Sequence, residues 1–196
     1  MSCGAGSRFM RIKYNAPVVL SFAFISLGVL ILSLTIQPSL TREWFMVRGR
    51  GSFSPSRIQS WVTLFSHVIG HGNWEHLFSN FTLILLIGPI LEEQYGSFSL
   101  FIMIAVTALV TGVFNILLFS SALLGASGVL FMMILLASFT NFNKGEIPLT
   151  FILILVLYLG REMYNSFSND NISQFAHIVG GFCGSLFGFS RPAKNI

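Results

Sequence analysis

Ser127 lies in the run Gly125-Ala126-Ser127-Gly128, and His177 follows fifty residues later in Ala176-His177-Ile178-Val179-Gly180. A serine hydroxyl is a weak nucleophile until a base takes its proton, and imidazole is the side chain most often used for that work. Both residues sit in segments otherwise apolar enough to cross a bilayer. Polar side chains are costly there and usually face a cavity and carry function. Gly125, Ala126 and Gly128 are small, so backbone and substrate can approach the hydroxyl, although small residues also serve ordinary helix packing. His76 and Asn80 are spaced i and i+4, on one helix face. Their side chains can donate hydrogen bonds to a developing oxyanion together with the Ser127 backbone N–H. No Asp or Glu lies at this depth in the segments of Ser127 or His177, which predicts a Ser–His dyad rather than a triad.

The elements that must position these residues are membrane helices. A water-soluble domain carries about 25% charged residues; this chain of 196 residues has 9%, with 54% hydrophobic residues and 21 phenylalanines. From Ser97 to Asn143 there is no Asp, Glu, Lys or Arg, a run of 47 residues. That is enough for two helical spans of about 20 residues each and a turn. These runs do not alternate as the strands of a membrane β-barrel would. The class read from composition is an all-α membrane protein. A net charge of +4 with so few charges and no basic stripe suits a solvated membrane flank and not a nucleic-acid partner. Cys3 and Cys183, in an N-terminal tail and a late span, suggest no disulfide framework. The first apolar run continues past fifteen residues without an evident cleavage site, so no cleavable signal peptide is expected.

Six spans are predicted, at about Ala16–Thr35, Glu75–Gln94, Ser97–Phe119, Ala122–Asn141, Ile147–Met163 and Ile172–Phe189. The predicted organisation is a cytoplasmic tail at 1–15, a core at 16–190 with a long outer loop at about 37–70, and a cytoplasmic tail at 191–196. In that loop Trp44, Phe45, Met46 and Val47 lie among Arg42, Arg48, Arg50 and Arg57. Such a mixture suits an element lying in the membrane interface; a flexible solvated loop fits equally well. Lys and Arg favour the cytoplasmic side. With the termini inside, Arg8, Arg11, Lys13, Lys144, Arg191 and Lys194 are cytoplasmic, against Arg42, Arg48, Arg50, Arg57 and Arg161 outside. All three lysines fall inside, and four of the outside arginines share one long loop, where the rule counts less. Spans two, four and six then run inward, and Asn80, Ser127 and His177 each stand about five residues into theirs, roughly 8 Å below the outer surface. Shared depth on three parallel spans points to one site.

These residues resemble the rhomboid family of intramembrane serine proteases. His71-Gly72-Asn73-Trp74-Glu75-His76-Leu77-Phe78-Ser79-Asn80 is similar to the family's second-span signature, whose H-x-x-x-N is here His76 and Asn80. Gly125-Ala126-Ser127-Gly128 resembles the fourth-span G-x-S-G, and Ala176-His177-Ile178-Val179-Gly180 with Gly184 resembles the sixth-span A-H-x-x-G-x-x-x-G. The resemblance implies a six-transmembrane-helix rhomboid-like bundle. It also implies a catalytic Ser127–His177 dyad, with His76 and Asn80 lining the oxyanion site. The implied activity is cleavage of transmembrane protein substrates near the outer face, with no cofactor, in a bacterial plasma membrane with both termini cytoplasmic. Substrates of the family tend to be locally unstable helices with small residues at the cleaved bond, reaching the site past span five. Two positions depart from the pattern. Phe131 stands where the family often has a Tyr, and Trp61-Val62 stands near the place of a Trp-Arg pair.

Other features have structural readings. Gly180, Gly184 and Gly188 repeat every four residues, a smooth face that would draw span six against span four. Glu92 is expected to tie helices together by hydrogen bonds. His67, His71 and His76 lack supporting acids or cysteines in ligand spacing, so no metal site is expected. Pro89 reads as a tolerated kink. Two other functions compete with this reading. A catalytically inactive rhomboid-like protein that binds transmembrane partners would typically lack the Ser or the His. A small transporter should show internal repeats or interrupted helices at the midplane.

Overall fold

The computed structural model describes residues 13–139 and 171–190, with a few helical positions between them. The helices among the described residues are α1 (Pro17–Thr35), α2 (Leu40–Trp44), α3 (Ile58–Ser66), α4 (Trp74–Tyr95), α5 (Ser97–Leu118), α6 (Ser127–Ala137) and α7 (Asn171–Ser190). No strand forms among the described residues; one isolated antiparallel bridge joins Val47 to Leu123.

α1, α4 and α5 are long and apolar enough to cross a membrane, and α6 is a shorter apolar helix. Each long helix leaves large apolar side chains uncovered, such as Phe24 and Ile25 on α1, Leu86 and Ile90 on α4, and Phe98 and Phe101 on α5. Exposed apolar area on that scale marks a surface made for lipid. The opposite faces meet in a core that includes Val19, Phe22, Ile84, Leu91, Met103, Met132 and Met133. Of the predicted fifth span, only Leu149, Ile152, Leu153, Val156 and Leu157 fall among the described residues. They are helical and exposed, at the spacing of one helix face. The rest of that span lies outside the described residues.

Glu92 ties α4 to α1 as expected. Its two carboxylate oxygens accept the backbone N–H groups of Val18 and Val19 at 2.9 and 3.0 Å. The first N–H groups of a helix have no partner within it, and here a buried carboxylate from another helix supplies one. On the same contact, Val19 packs where a side chain at Gly88 would stand. Gly96, at φ +83, is the single residue between α4 and α5.

The segment between α1 and α4 is structured rather than a free loop. α2 and α3 are joined where the Ser66 hydroxyl donates to the Trp44 carbonyl. Val47 and Leu123 exchange backbone hydrogen bonds of 2.9 Å in both directions. Gly49 packs directly on the Ser120 carbonyl, closer than any side chain would allow. Asn115, buried near the end of α5, donates from Nδ2 to the Ser121 carbonyl at 3.2 Å. Together these contacts hold the non-helical stretch 119–126 that leads to Ser127.

Candidate active site

The site begins at the N-terminus of α4. The Asn73 side chain caps the helix by accepting the His76 N–H at 2.8 Å, a role for which a short amide is well suited. The cap fixes His76 in the first turn. One turn later Asn80 is buried, and its Nδ2 donates to the His76 carbonyl at 3.0 Å. The same amide lies 3.3 Å from His71 Nε2. His71 Nδ1 meets the Ile69 carbonyl at 3.0 Å, so Nδ1 carries the proton and Nε2 accepts from Asn80. The His71 and His76 rings meet edge to face at 4.9 Å.

Across from this end of α4 lies the segment before Ser127. Gly125 has φ +112, a conformation that costs glycine little and other residues much. Its N–H donates to the His67 carbonyl at 2.9 Å. A Cβ here would fall 2.5 Å from His76 Nε2. Glycine is therefore required twice, by its backbone angle and by the imidazole lying over it. His67 is itself fixed, with Nδ1 on the Thr63 carbonyl at 3.1 Å and Nε2 facing Thr111 Oγ1 at 3.3 Å. His67 and His71 lie outside the spanning helices, and burial pushes both pKa values down from the ordinary 6.5 to about 4.

Ser127 is the first residue of α6 and is half-buried. The sequence predicts it about five residues into a span beginning at Ala122. The helix starts later because Leu123 is paired with Val47 and Gly125 turns the chain at positive φ. The correction alters the surroundings of the hydroxyl. No side chain caps α6 among the described residues, so the first N–H groups of the helix, which have no partner within it, lie beside Ser127 at the positive end of the helix dipole.

α7 completes the cluster by crossing α6 at backbone distance. A Cβ at Gly180 would collide with the Gly128 carbonyl, and one at Gly184 with the Met132 carbonyl. A Cβ at Gly128 would come 3.2 Å from the Ala176 carbonyl. The glycine stripe therefore faces α6, as its spacing predicts, with Gly188 against the Phe139 ring. His177, next to Ala176, packs its imidazole on Phe131 with ring centroids 4.3 Å apart. Phe131 stands one turn along α6 from Ser127, so two separate contacts bring His177 to the first turn of that helix.

A family model described as the rhomboid domain matches residues 59–193, which contain all of these contacts. The chain belongs to the rhomboid family. Among its rhomboid relatives, Rhomboid-like protein 11, chloroplastic, of Arabidopsis thaliana is 22% identical over 162 residues, 74% of this chain and 58% of that protein. The chain thus spans little more than half the length of that relative. Rhomboid protease GlpG of Haemophilus influenzae is 24% identical over 135 residues, 66% of this chain and 70% of that one.

The structure draws His76 over Gly125, two residues before Ser127, and His177 onto Phe131, one turn along α6 from Ser127. Two participants were missed as such. The sequence assigns His67 and His71 no role beyond the rejected metal site and the place of His71 at the head of the second-span signature, yet His71 engages the Asn80 amide and His67 holds Gly125 by its carbonyl. Their signal was present, since both precede His76 in one short stretch. Their partners, however, lie across turns that no helical spacing describes.

Proposed function

We propose that this rhomboid is an intramembrane serine endopeptidase that cleaves transmembrane segments of other membrane proteins through a Ser127–His177 dyad. Ser127 Oγ attacks the peptide carbonyl while His177 takes its proton, and His177 then gives that proton to the leaving amine. The observation that carries the reading is the approach of His177 to the first turn of α6. It is supported by the imidazole stacked on Phe131 and by the glycine crossing beside it. Phe131 can orient the imidazole by ring packing, though it has no hydroxyl to donate. The oxyanion is stabilised by the uncapped N–H groups at Ser127, by the His76 side chain over Gly125, and by Asn80. Both Asn80 amide hydrogens are engaged at rest. The one 3.3 Å from His71 Nε2 is the longer contact, and it is the one that turns to the oxyanion.

The same reading completes six spans in the order predicted, with both termini cytoplasmic in a bacterial plasma membrane and the site near the outer face. Core and tails are divided at residues 16 and 190. A regular helix hides its carbonyls in its own hydrogen bonds, so a substrate segment must unwind before attack. Substrates with helix-destabilising small residues meet that condition most cheaply. The dyad chemistry calls for no cofactor.

The deciding experiment is cleavage of a transmembrane reporter in liposomes by the wild type and Ser127→Ala, with labelling by a fluorophosphonate serine-hydrolase probe. Wild-type cleavage and labelling, both lost in Ser127→Ala, are expected. A folded wild type that neither labels nor cleaves would favour the inactive, partner-binding reading.

A further inference from the structure

Between α2, the start of α3 and the end of α5 lies a cavity of about 340 Å³, within the range of small-ligand sites. Its walls include Glu43, Arg48, Arg57, Ser60, Phe53 and Ile116. Arg48 and Arg57 both line it, and neither has an ion-pair partner among the described residues. Arg57 is also the N-cap residue of the nine-residue α3 and makes no side-chain cap. The positive end of that helix is therefore turned to the same place. Phosphate groups are bound by this combination of forked guanidinium donors and helix N–H groups.

The position of the cavity says where such a phosphate comes from. On α3, Ile58, Trp61, Val62 and Phe65 are exposed while Thr63 and Leu64 are buried, so an apolar face looks away from the protein. An amphipathic helix of that kind lies in the headgroup layer of a bilayer. Trp61 rests edge-on against Phe53, which lines the cavity, and its indole N–H donates to the Pro55 carbonyl at 3.0 Å. With α3 in the headgroup layer, the cavity would open at that depth, beside the apolar side chains α3 leaves exposed. Glu43 adds one carboxylate to the two arginines, which suits a headgroup carrying an amine as well as a phosphate.

We propose that this cavity binds one membrane phospholipid by its headgroup, with the phosphodiester at Arg48 and Arg57 and the amine of an ethanolamine headgroup towards Glu43. The proposal does not depend on the chemistry assigned to Ser127. Val47 also lines the cavity and is paired with Leu123. A bound headgroup therefore braces the segment that leads to Ser127, and lipid binding should raise Tm.

The test is native mass spectrometry and thermal melting of the full chain in neutral detergent. The probes are phosphatidylethanolamine, phosphatidylglycerol, glycerophosphoethanolamine and inorganic phosphate. One phosphatidylethanolamine is expected to stay bound and to raise Tm. Arg48→Gln and Arg57→Gln should each weaken it about tenfold or more, as loss of a charge-assisted contact implies, and Arg57→Lys should recover part of the affinity. Arg42→Gln, an exposed arginine of α2 outside the cavity walls, should bind as wild type does. Glu43→Gln should abolish the preference for ethanolamine over glycerol. Equal retention by wild type and both glutamine variants would overturn the site. Inorganic phosphate binding as tightly as the lipid and displacing it would overturn the lipid source.

Discussion

Asn80 offers two amide hydrogens, and in the resting protein both are engaged, one by the His76 carbonyl and one by His71 Nε2. On the proposed mechanism, an amide already in place but releasable at one bond would stabilise a charge that exists only in the transition state. Asn80→Ala should therefore lower kcat with KM little changed, by up to about 10²–10³-fold where the other donors do not compensate. An effect on KM alone would reassign Asn80 to substrate binding. Ser127→Ala should abolish cleavage in a protein that still folds. His177→Ala should cost roughly 10²–10⁴-fold, and near wild-type cleavage by either variant would remove the dyad. Gly125→Ala supplies a sharper test of geometry, because it deletes no functional group. The new methyl would meet the His76 ring at 2.5 Å and sit at φ +112. Displacement by an ångström costs about 10²-fold in rate, so cleavage should fall by that order, and wild-type activity would show that His76 does not lie over Gly125 during the reaction.

Two contacts between elements govern how the site is held. The α6–α7 crossing has no room for side chains at Gly180 and Gly184. Gly184→Val should insert normally, melt at lower temperature in detergent and lose much of its cleavage rate, because it pushes His177 away from α6. Unchanged melting and activity would mean the stripe faces lipid. The α1–α4 contact depends on Glu92, whose carboxylate accepts two backbone N–H groups in a buried position. Glu92→Ala leaves both donors unpaired, at a cost of about 1–3 kcal/mol for each. That variant should lower Tm clearly while the reporter is still cleaved at temperatures where it stays folded. A Tm equal to wild type would show that α1 is held by apolar packing alone.

Buried histidines make the stability of the whole molecule depend on pH. His67 and His71 are held at a pKa of about 4 by burial, against an ordinary 6.5. Between those values the unfolded chain binds protons that the folded one refuses. Stability is therefore complete above about pH 6.5 and is lost as pH falls towards 4, by up to about 1.4 kcal/mol per pH unit for each histidine. Melting in detergent at neutral pH and near pH 5 should show the drop, and a Tm that rises on acidification would contradict it. The ring nitrogens of both residues face protein partners, so neither is presented to a metal. Dialysis against a zinc chelator should leave cleavage intact, whereas activity lost and restored by zinc would refute the hydroxyl–imidazole chemistry.

Sequence by itself determined that this is an all-helical membrane protein with nucleophile, base and oxyanion candidates. Charge depletion and isolated polar residues in apolar runs are local signals that need no fold to be seen. The glycine stripe and the tying role of Glu92 were legible for the same reason, since spacing along a helix states which residues share a face. Tertiary structure alone decided where α6 begins, because Ala122–Ala126 is held out of the helix by Val47, which lies far away in the chain. It alone showed His71 and His67 as supports for Asn80 and Gly125, and it alone brought Arg48 and Arg57 to one cavity. Each of these depends on backbone groups meeting across turns, and the positions of those groups leave no trace in the order of side chains.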